Sequence, residues 1–226
     1  MTSLKSSRLI GASLLGLVSL GGIGYVIWHL VQPRLYPTDA SQLFPTAQST
    51  VEATREVLSC TITMAEIDTP HPPLPVYFAA NNPTSRIVGH LDNHAFVTVA
   101  TEQNGWFLIQ NPMQGWIPKT QTQNSCNDKV ELVKFSPKGG RSAIADRFVG
   151  SGSHLYRVPL TQGSTLTVSN TRGVLPFVLD PDGEMFGNPK ESQINWTGQI
   201  PRTGVYTLEM LSQHKGYRYA FTVSVN

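Results

Sequence analysis

The closest grouping of side chains with metal-binding chemistry is formed by His90, Asp92 and His94. On a straight strand, residues spaced by two share one face, and imidazole and carboxylate groups are ligands of zinc. The residues between the two histidines, however, have the composition of a tight turn, which would point the three side chains away from one another. We therefore expect no metal ion and no cofactor at this place.

A second candidate is the segment Asp180-Pro181-Asp182-Gly183, since carboxylate oxygens are ligands that calcium prefers. Two carboxylates are few for an ion that takes about six to eight oxygen ligands, and the same four residues are typical of a turn. For catalysis, the sequence contains no Gly-x-Ser-x-Gly elbow and no His-Glu-x-x-His motif. We therefore expect a protein that is not an enzyme.

Aromatic residues offer a different kind of chemistry, namely the binding of flat or apolar ligands. Trp106 follows Asn104-Gly105, the strongest two-residue hairpin signal, and Trp116 follows Gly115. Tyr77 precedes them on another predicted strand, and Leu108 shares a strand face with Trp106 because side chains alternate along a strand. These four residues predict a ligand-binding groove. The alternative is that one tryptophan fills the core and the other packs on a neighbouring domain.

The strands that would position these rings resemble the bacterial SH3-like (SH3b) domain. The resemblance covers residues 60–126 and rests on the following matches: Val88-Gly89, Val97-Thr98-Val99, Asn104-Gly105-Trp106, Ile109 and Gly115-Trp116-Ile117. It implies a small β-barrel whose groove takes a peptide, a peptidoglycan stem or a glycan. The two cysteines, Cys60 and Cys126, bracket this unit. Because the ends of such a barrel lie close together, we expect them to form a disulfide, with two free thiols as the alternative.

The N-terminal part of the sequence predicts a membrane anchor. Residues 9–31 contain no Asp, Glu, Lys or Arg, and this length spans the hydrocarbon core as a helix. Lys5 and Arg8 precede the segment, so the positive-inside rule places the N-terminus in the cytoplasm and exports the rest. A cleaved signal peptide is the alternative. Residues 32–59 follow as a proline-containing spacer, in which residues 46–58 could form a short helix.

Residues 130–226 have the texture of an all-β domain, because strand-like runs recur about every ten residues. The runs are 130–135, 143–149, 154–160, 165–169, 175–179, 193–197, 205–211 and 218–225. This region resembles the family of inhibitors of g-type lysozyme and the bacterial pre-peptidase C-terminal domains, which implies a β-sandwich. The matching residues include Phe135-Ser136-Pro137, Tyr156, residues 163–168, Asp180–Gly183, Trp196-Thr197-Gly198 and residues 201–206. We expect Trp196 to belong to the sandwich core.

Composition limits the classes of function that the sequence supports. Only 14% of the 226 residues are charged and the net charge is +2, which gives no support for nucleic-acid binding. The sequence thus predicts a mainly β protein with one transmembrane helix, a small barrel and an antiparallel sandwich. Its expected function is the recognition of a cell-envelope polymer or protein. Two alternatives remain: an accessory subunit of a larger membrane complex, and an inhibitor of a peptidoglycan hydrolase.

Overall fold

The computed structural model describes residues 52–187, 190 and 192–226. These residues form 17 β-strands and one 3₁₀ turn, Lys119–Gln121, so the described part of the chain is mainly β, as predicted. No helix in this part is long and apolar enough to cross a membrane. The predicted span at residues 9–31 and most of the predicted spacer lie outside the described residues.

Seven antiparallel strands form the first sheet, in the order β4-β3-β7-β6-β5-β2-β8. Their bounds are β2 Met64–Ile67, β3 Leu74–Tyr77, β4 Ile87–Leu91, β5 Phe96–Gln103, β6 Trp106–Asn111, β7 Gly115–Pro118 and β8 Thr122–Gln123. One face of this sheet encloses an apolar core made of Ala65, Ile67, Leu74, Val76, Leu91, Val97, Val99, Phe107, Ile109 and Ile117. The alternation of side chains therefore leaves the other face to solvent.

Two further sheets pack face to face as a sandwich. The six-stranded sheet has the order β1-β9-β11-β16-β13-β14, and the four-stranded sheet has the order β10-β17-β12-β15. The bounds are β1 Thr54–Thr61, β9 Asp128–Lys134, β10 Gly140–Arg147, β11 Gly152–Leu160, β12 Thr165–Arg172, β13 Phe177–Leu179, β14 Met185–Gly187, β15 Asn195–Gln199, β16 Gly204–Ser212 and β17 Arg218–Val225. Buried aromatic and aliphatic side chains from both sheets form the core.

The first strand of the sandwich differs from the sequence interpretation. Residues 54–58, expected as part of a short helix in the spacer, belong to β1, and the predicted boundary at residue 60 falls inside this strand. β1 pairs antiparallel with β9, so the seven-stranded sheet is inserted between two neighbouring strands of the sandwich. The sequence TREVLSCT gave no signal because β1 is an edge strand that is exposed along its whole length.

A disulfide and one buried asparagine hold together the two chain segments that connect the inserted sheet to the sandwich. Cys60 and Cys126 are bonded, with their Cα atoms 5.1 Å apart, which confirms the predicted pairing. The side chain of Asn127 accepts hydrogen bonds from the backbone N–H groups of Thr63 and Met64 at 2.8 and 3.0 Å. It also donates to the carbonyl oxygens of Val149 and Ser151, both at 2.8 Å. One side chain thus joins the start of β2 to a loop of the sandwich.

Candidate functional site

The four residues predicted to form a groove lie together on the outer face of the seven-stranded sheet. Trp116 of β7 stands opposite Tyr77 of β3 on one side and opposite Leu108 of β6 on the other. Trp106 lies two residues before Leu108, with its ring centre 5.6 Å from that of Tyr77 in an edge-to-face arrangement. All four side chains are half-buried, whereas Phe107, Ile109 and Ile117 point to the core. Neither Trp106 nor Trp116 belongs to the core of this sheet.

Local sequence explains why the rings lie on this face. Asn104 and Gly105 have φ angles of 51° and 77°, which are the two positive values that a type I′ turn requires. This turn sets the register of β5 and β6. At Gly115, an added Cβ would lie 2.5 Å from a methyl group of Val76 and 3.0 Å from the carbonyl oxygen of Tyr77. Glycine therefore permits the close approach of β7 and β3 that places Trp116 beside Tyr77.

A groove of about 460 Å³ opens on this face, and only part of it was predicted. Leu108 and Trp116 line it, together with Phe78, Arg86 and Val88. Phe78 is 64% exposed, and the guanidinium carbon of Arg86 lies 5.0 Å from the centre of its ring. Tyr77 and Trp106 pack against each other and are not among the lining residues. Sequence reasoning missed Phe78 and Arg86 because both lie in the β3–β4 connection, where strand alternation gives no information.

The other candidate sites are not assembled for metal binding. His94 lies 2.8 Å from a carboxylate oxygen of Glu66, measured from its Nδ1 atom, and His90 sits on β4. In the described part of the chain, no three His, Cys, Asp or Glu residues come together as metal ligands. In the second candidate, Arg202 pairs with both Asp180 and Asp182. Asp180 also accepts the N–H groups of Asp182 and Glu184 at 2.9 and 3.0 Å, so this segment is a stabilised turn.

Trp196 lies in the sandwich, as expected. Its ring centre is 5.6 Å from that of Phe186, and both rings pack against the core.

The sandwich interior contains a polar network that the sequence did not reveal. Lys129 and Glu131 of β9 and His154 and Tyr156 of β11 point inward, where they are 5%, 2%, 1% and 0% exposed. The ammonium of Lys129 donates hydrogen bonds to Glu131 at 2.9 Å and to the hydroxyl of Tyr156 at 3.0 Å. It also donates to Asp146, which comes from the opposite sheet. Arg55 of β1 pairs with Glu131 from the outside.

The network continues through two tyrosines to the histidine. The hydroxyl groups of Tyr156 and Tyr219 are 2.7 Å apart, and Tyr219 contacts Nδ1 of His154. His154 Nε2 lies 2.8 Å from the carbonyl oxygen of Cys126. Because a carbonyl only accepts, Nε2 carries the proton and Nδ1 accepts from Tyr219. Tyr156 then donates to Tyr219, and Lys129 donates to Tyr156. The hydrogen bonds therefore run in one direction, from Lys129 to His154.

Burial and neighbouring charges shift the pKa values in this network. Burial lowers the pKa of His154, and this effect outweighs the hydrogen bond to Cys126 and the charge of Asp146. Burial alone would also lower the pKa of Lys129, but its bonds to Tyr156, Asp146 and Glu131 raise it above the ordinary lysine value. Burial would raise the pKa of Glu131, yet Arg55 and Lys129 hold it below the usual range. The network therefore contains a neutral histidine, a charged lysine and charged carboxylates at neutral pH.

The chain was compared with protein families, curated proteins and solved structures. No protein-family model and no curated protein matches the chain. Among solved structures, PliG from Aeromonas hydrophila, a periplasmic lysozyme inhibitor of g-type lysozyme, is similar with a TM-score of 0.35 and 19% identity, over 44% of this chain and 97% of that chain. PliG from Salmonella Typhimurium gives a TM-score of 0.31 and 16% identity, over 42% of this chain and 98% of that chain. Similarity at this distance assigns no activity to this chain.

Proposed function

We propose that this protein is an exported, non-enzymatic binding protein that recognises a cell-envelope polymer or protein through an SH3-like barrel. The observation that carries the proposal is the groove beside Trp116, in which Phe78, Leu108 and Arg86 meet on the solvent face of the sheet. Apolar rings on a solvent face are not needed by the core behind them, which is filled by Phe107 and aliphatic side chains. Such rings provide contact area for a ligand at small entropic cost.

The lining of the groove favours binding over catalysis. Aromatic, aliphatic, amide and guanidinium groups surround it, with Gln114 supplying the amide. None of these groups is a nucleophile or a proton donor at neutral pH, since a guanidinium stays charged in proteins. A ligand with flat or apolar faces and a carboxylate fits this set, because Arg86 offers a planar fork to a carboxylate. Peptidoglycan combines sugar faces with acidic stem peptides, so we propose it as the ligand.

Export is supported by the disulfide and by the N-terminal sequence. A bond between Cys60 and Cys126 persists in an oxidising compartment, such as a periplasm or the outside of a cell. The apolar segment at residues 9–31, preceded by Lys5 and Arg8, would hold the described domains on that side as an uncleaved anchor. In this proposal the protein stays attached to the membrane while its groove faces the envelope.

The test is the retention of the full chain, in a non-ionic detergent, on purified peptidoglycan. We expect the unmodified protein to sediment with the polymer and Trp116→Ala to bind at least about tenfold more weakly, because aromatic anchors dominate interfaces. Ile194→Ala is the matched control, since Ile194 is 66% exposed on the sandwich and should bind normally. No retention of the unmodified protein, or equal retention of Trp116→Ala, would contradict the proposal.

An accessory subunit of a larger membrane complex is the first alternative, in which the N-terminal helix docks on other helices. Purification of the full chain from membranes in a mild detergent separates the two ideas. A partner that co-purifies in a fixed stoichiometry favours the subunit, whereas retention on peptidoglycan without such a partner favours the binding protein.

Inhibition of a peptidoglycan hydrolase is the second alternative, and it rests on the sequence resemblance of residues 130–226 to the inhibitor family. The experiment is a g-type lysozyme assay with increasing amounts of the full chain. A stoichiometric loss of lysis supports inhibition, and an unchanged rate at micromolar protein excludes it. In this case Trp116→Ala should inhibit normally, because the resemblance lies in the sandwich, whereas the groove lies on the seven-stranded sheet.

A further inference from the structure

We infer that the outer face of the four-stranded sheet carries a binding site for phosphate groups, separate from the aromatic groove. Arg147 of β10, Arg218 of β17 and Arg172 of β12 come from three neighbouring strands and line one shallow cavity of about 400 Å³. Ala145 and Ala220 line the same cavity. Three arginine residues and two residues with small side chains thus line the same cavity.

Strand register explains this shape. In the β10–β17 pair, Ala145 stands opposite Ala220, and Arg147 stands opposite Arg218. Arg172 of β12 is the partner of Ala220 on its other side, at an irregularity in the pairing. The two alanine methyl groups therefore form a floor, and the arginines form its rim. Like charges placed directly opposite each other destabilise a sheet, so the free protein carries a repulsion that a bound anion would relieve.

Among the residues that the structure describes, no carboxylate neutralises this rim. Asp146 lies at the edge of the cavity, but its carboxylate accepts from the ammonium of Lys129 and from the backbone N–H of Arg147. Arg147 donates to the carbonyl oxygen of Asn124 at 3.1 Å, which does not cancel its charge. Within the described residues, none of the ion pairs includes Arg147, Arg172 or Arg218.

The wider face has the same character. Asp146 is the only acidic residue in β10, β12, β15 and β17. A fourth arginine, Arg141, lies on β10 beyond the cavity and is exposed, and its guanidinium is 3.4 Å from the hydroxyl of Thr222. Glu52 pairs with Arg141 through a β-bridge, so the acidic residue nearest to this face lies beside Arg141 and not beside the cavity arginines. A surface with more arginines than carboxylates attracts anions.

The number and arrangement of the arginines favour phosphate over carboxylate. One guanidinium fork satisfies a planar carboxylate with its single charge. A phosphate carries up to two charges and tetrahedral oxygens, so it can accept from forks that approach from three sides. Phosphate groups reach such a site either as lipid headgroups or as parts of water-soluble compounds, and the chemistry recognised is the same. This inference does not depend on the groove.

The first experiment measures thermal unfolding of the full chain in a non-ionic detergent with inorganic phosphate or acetate, at equal ionic strength. We expect phosphate, but not acetate, to raise the melting temperature. The variant Arg172→Gln/Arg218→Gln should lose this rise while unfolding at no lower temperature without anion, because the repulsion is gone. Arg157→Gln is the matched control, since Arg157 is an exposed arginine of the other sheet, and it should keep the rise. Equal effects of phosphate and acetate, or a rise preserved in the double variant, would overturn the inference.

The second experiment separates the two sources of phosphate by titration with glycerol phosphate, or with phosphatidic acid in mixed micelles of the same detergent, since both compounds carry a phosphomonoester. The double variant should bind the preferred compound about tenfold or more weakly, because charge-assisted hydrogen bonds are lost. Tighter binding of the micellar lipid than of glycerol phosphate identifies a headgroup site, and the reverse identifies a soluble ligand. Binding of neither compound contradicts the inference, whatever the outcome with peptidoglycan.

Discussion

The seven-stranded sheet and the sandwich differ in which side chains they bury and which they expose to solvent. Behind the groove, the core of the seven-stranded sheet contains one aromatic residue, Phe107, among aliphatic side chains. Its tryptophans lie on the solvent face. The sandwich instead buries Tyr156, Tyr206 and Tyr219 together with charged residues, and it exposes arginines.

This difference separates two uses of the same strand geometry. An aliphatic core tolerates apolar rings on the outer face without any demand for hydrogen bonds, so those rings remain available to a ligand. A core with buried charges needs every polar group paired, because an unpaired charge away from water is costly. We therefore expect substitutions in the sandwich interior to act on stability and pH dependence, and substitutions on the outer face of the seven-stranded sheet to act on binding.

The largest effect should come from Lys129→Met, which leaves the carboxylates of Glu131 and Asp146 without their shared cation. Removing one partner of a buried ion pair costs about 3–5 kcal/mol. The matched control is Lys119→Met in the 3₁₀ turn that follows β7, where Lys119 and Glu102 are 2.8 Å apart with side chains 32% and 43% exposed. An exposed pair of this kind contributes about 1 kcal/mol or less. Denaturant unfolding of both variants measures the contrast, and equal losses would contradict it.

Reduction of the disulfide should have the next largest effect. This bond joins the two chain segments that connect the seven-stranded sheet to the sandwich. Cys60 and Cys126 are 66 positions apart. Closing a loop of this length lowers the conformational entropy of the unfolded chain, which stabilises the folded protein by about 4 kcal/mol. We expect a reductant to lower the free energy of unfolding of the unmodified protein by this order. The variant Cys60→Ala/Cys126→Ala should start at the lower value and not respond to the reductant. A response in the double variant would mean that the reductant acts elsewhere.

The elements that follow from local rules could be predicted from the sequence. β17 has the expected bounds, Arg218–Val225, because its apolar residues alternate, and Tyr77 lies on a strand, β3, as expected. The positive φ angles at Asn104 and Gly105 followed from the preference of a type I′ turn. The common face of Trp106 and Leu108 followed from alternation alone.

The features that depend on long-range pairing could not be predicted. In β9, the charged residues Lys129 and Glu131 point inward, whereas Val130 and Leu132 are partly exposed. Alternation reveals that the strand has two faces, but the usual assignment of the apolar face to the core is reversed at residues 129–132. Val133 lies on the same face as Lys129 and Glu131 and is buried. The charged face is the buried one because its charges find partners on other strands. Lys129 pairs with Asp146 of the opposite sheet, and Arg55 of β1 pairs with Glu131. The groove residues Phe78 and Arg86 were missed for a related reason, since loop geometry brings them together.

The smallest effect is a pH dependence that only the sandwich should show, through His154. Its surroundings comprise Asp146, with an oxygen 3.7 Å from Nδ1, the hydroxyl of Tyr219, and the charges of Lys129 and Asp128. Because the pKa of His154 is lowered in the folded protein, the unfolded chain binds more protons below the ordinary histidine value of about 6.5. The contribution of His154 to the free energy of unfolding is therefore fully present above this pH, and it falls as the pH decreases towards the pKa of the folded protein. Protonation would also turn Nδ1 into a donor towards the oxygen of Tyr219, so the hydroxyl hydrogen of Tyr219 would lose its acceptor.

Measurement of the free energy of unfolding from about pH 7.5 to pH 5 tests this origin. His154→Gln should be less stable at the upper pH, because the bonds to Tyr219 and Cys126 are altered, but its stability should change less between the two limits. His90→Gln, in an exposed position of the seven-stranded sheet, should keep the slope of the unmodified protein. Below about pH 4 a further loss is expected in all three proteins, since Glu131 and Asp146 have lowered pKa values and their protonation breaks the pairs with Lys129. An unchanged slope in His154→Gln would place the pH sensitivity outside the sandwich interior and remove this part of the contrast between the two regions.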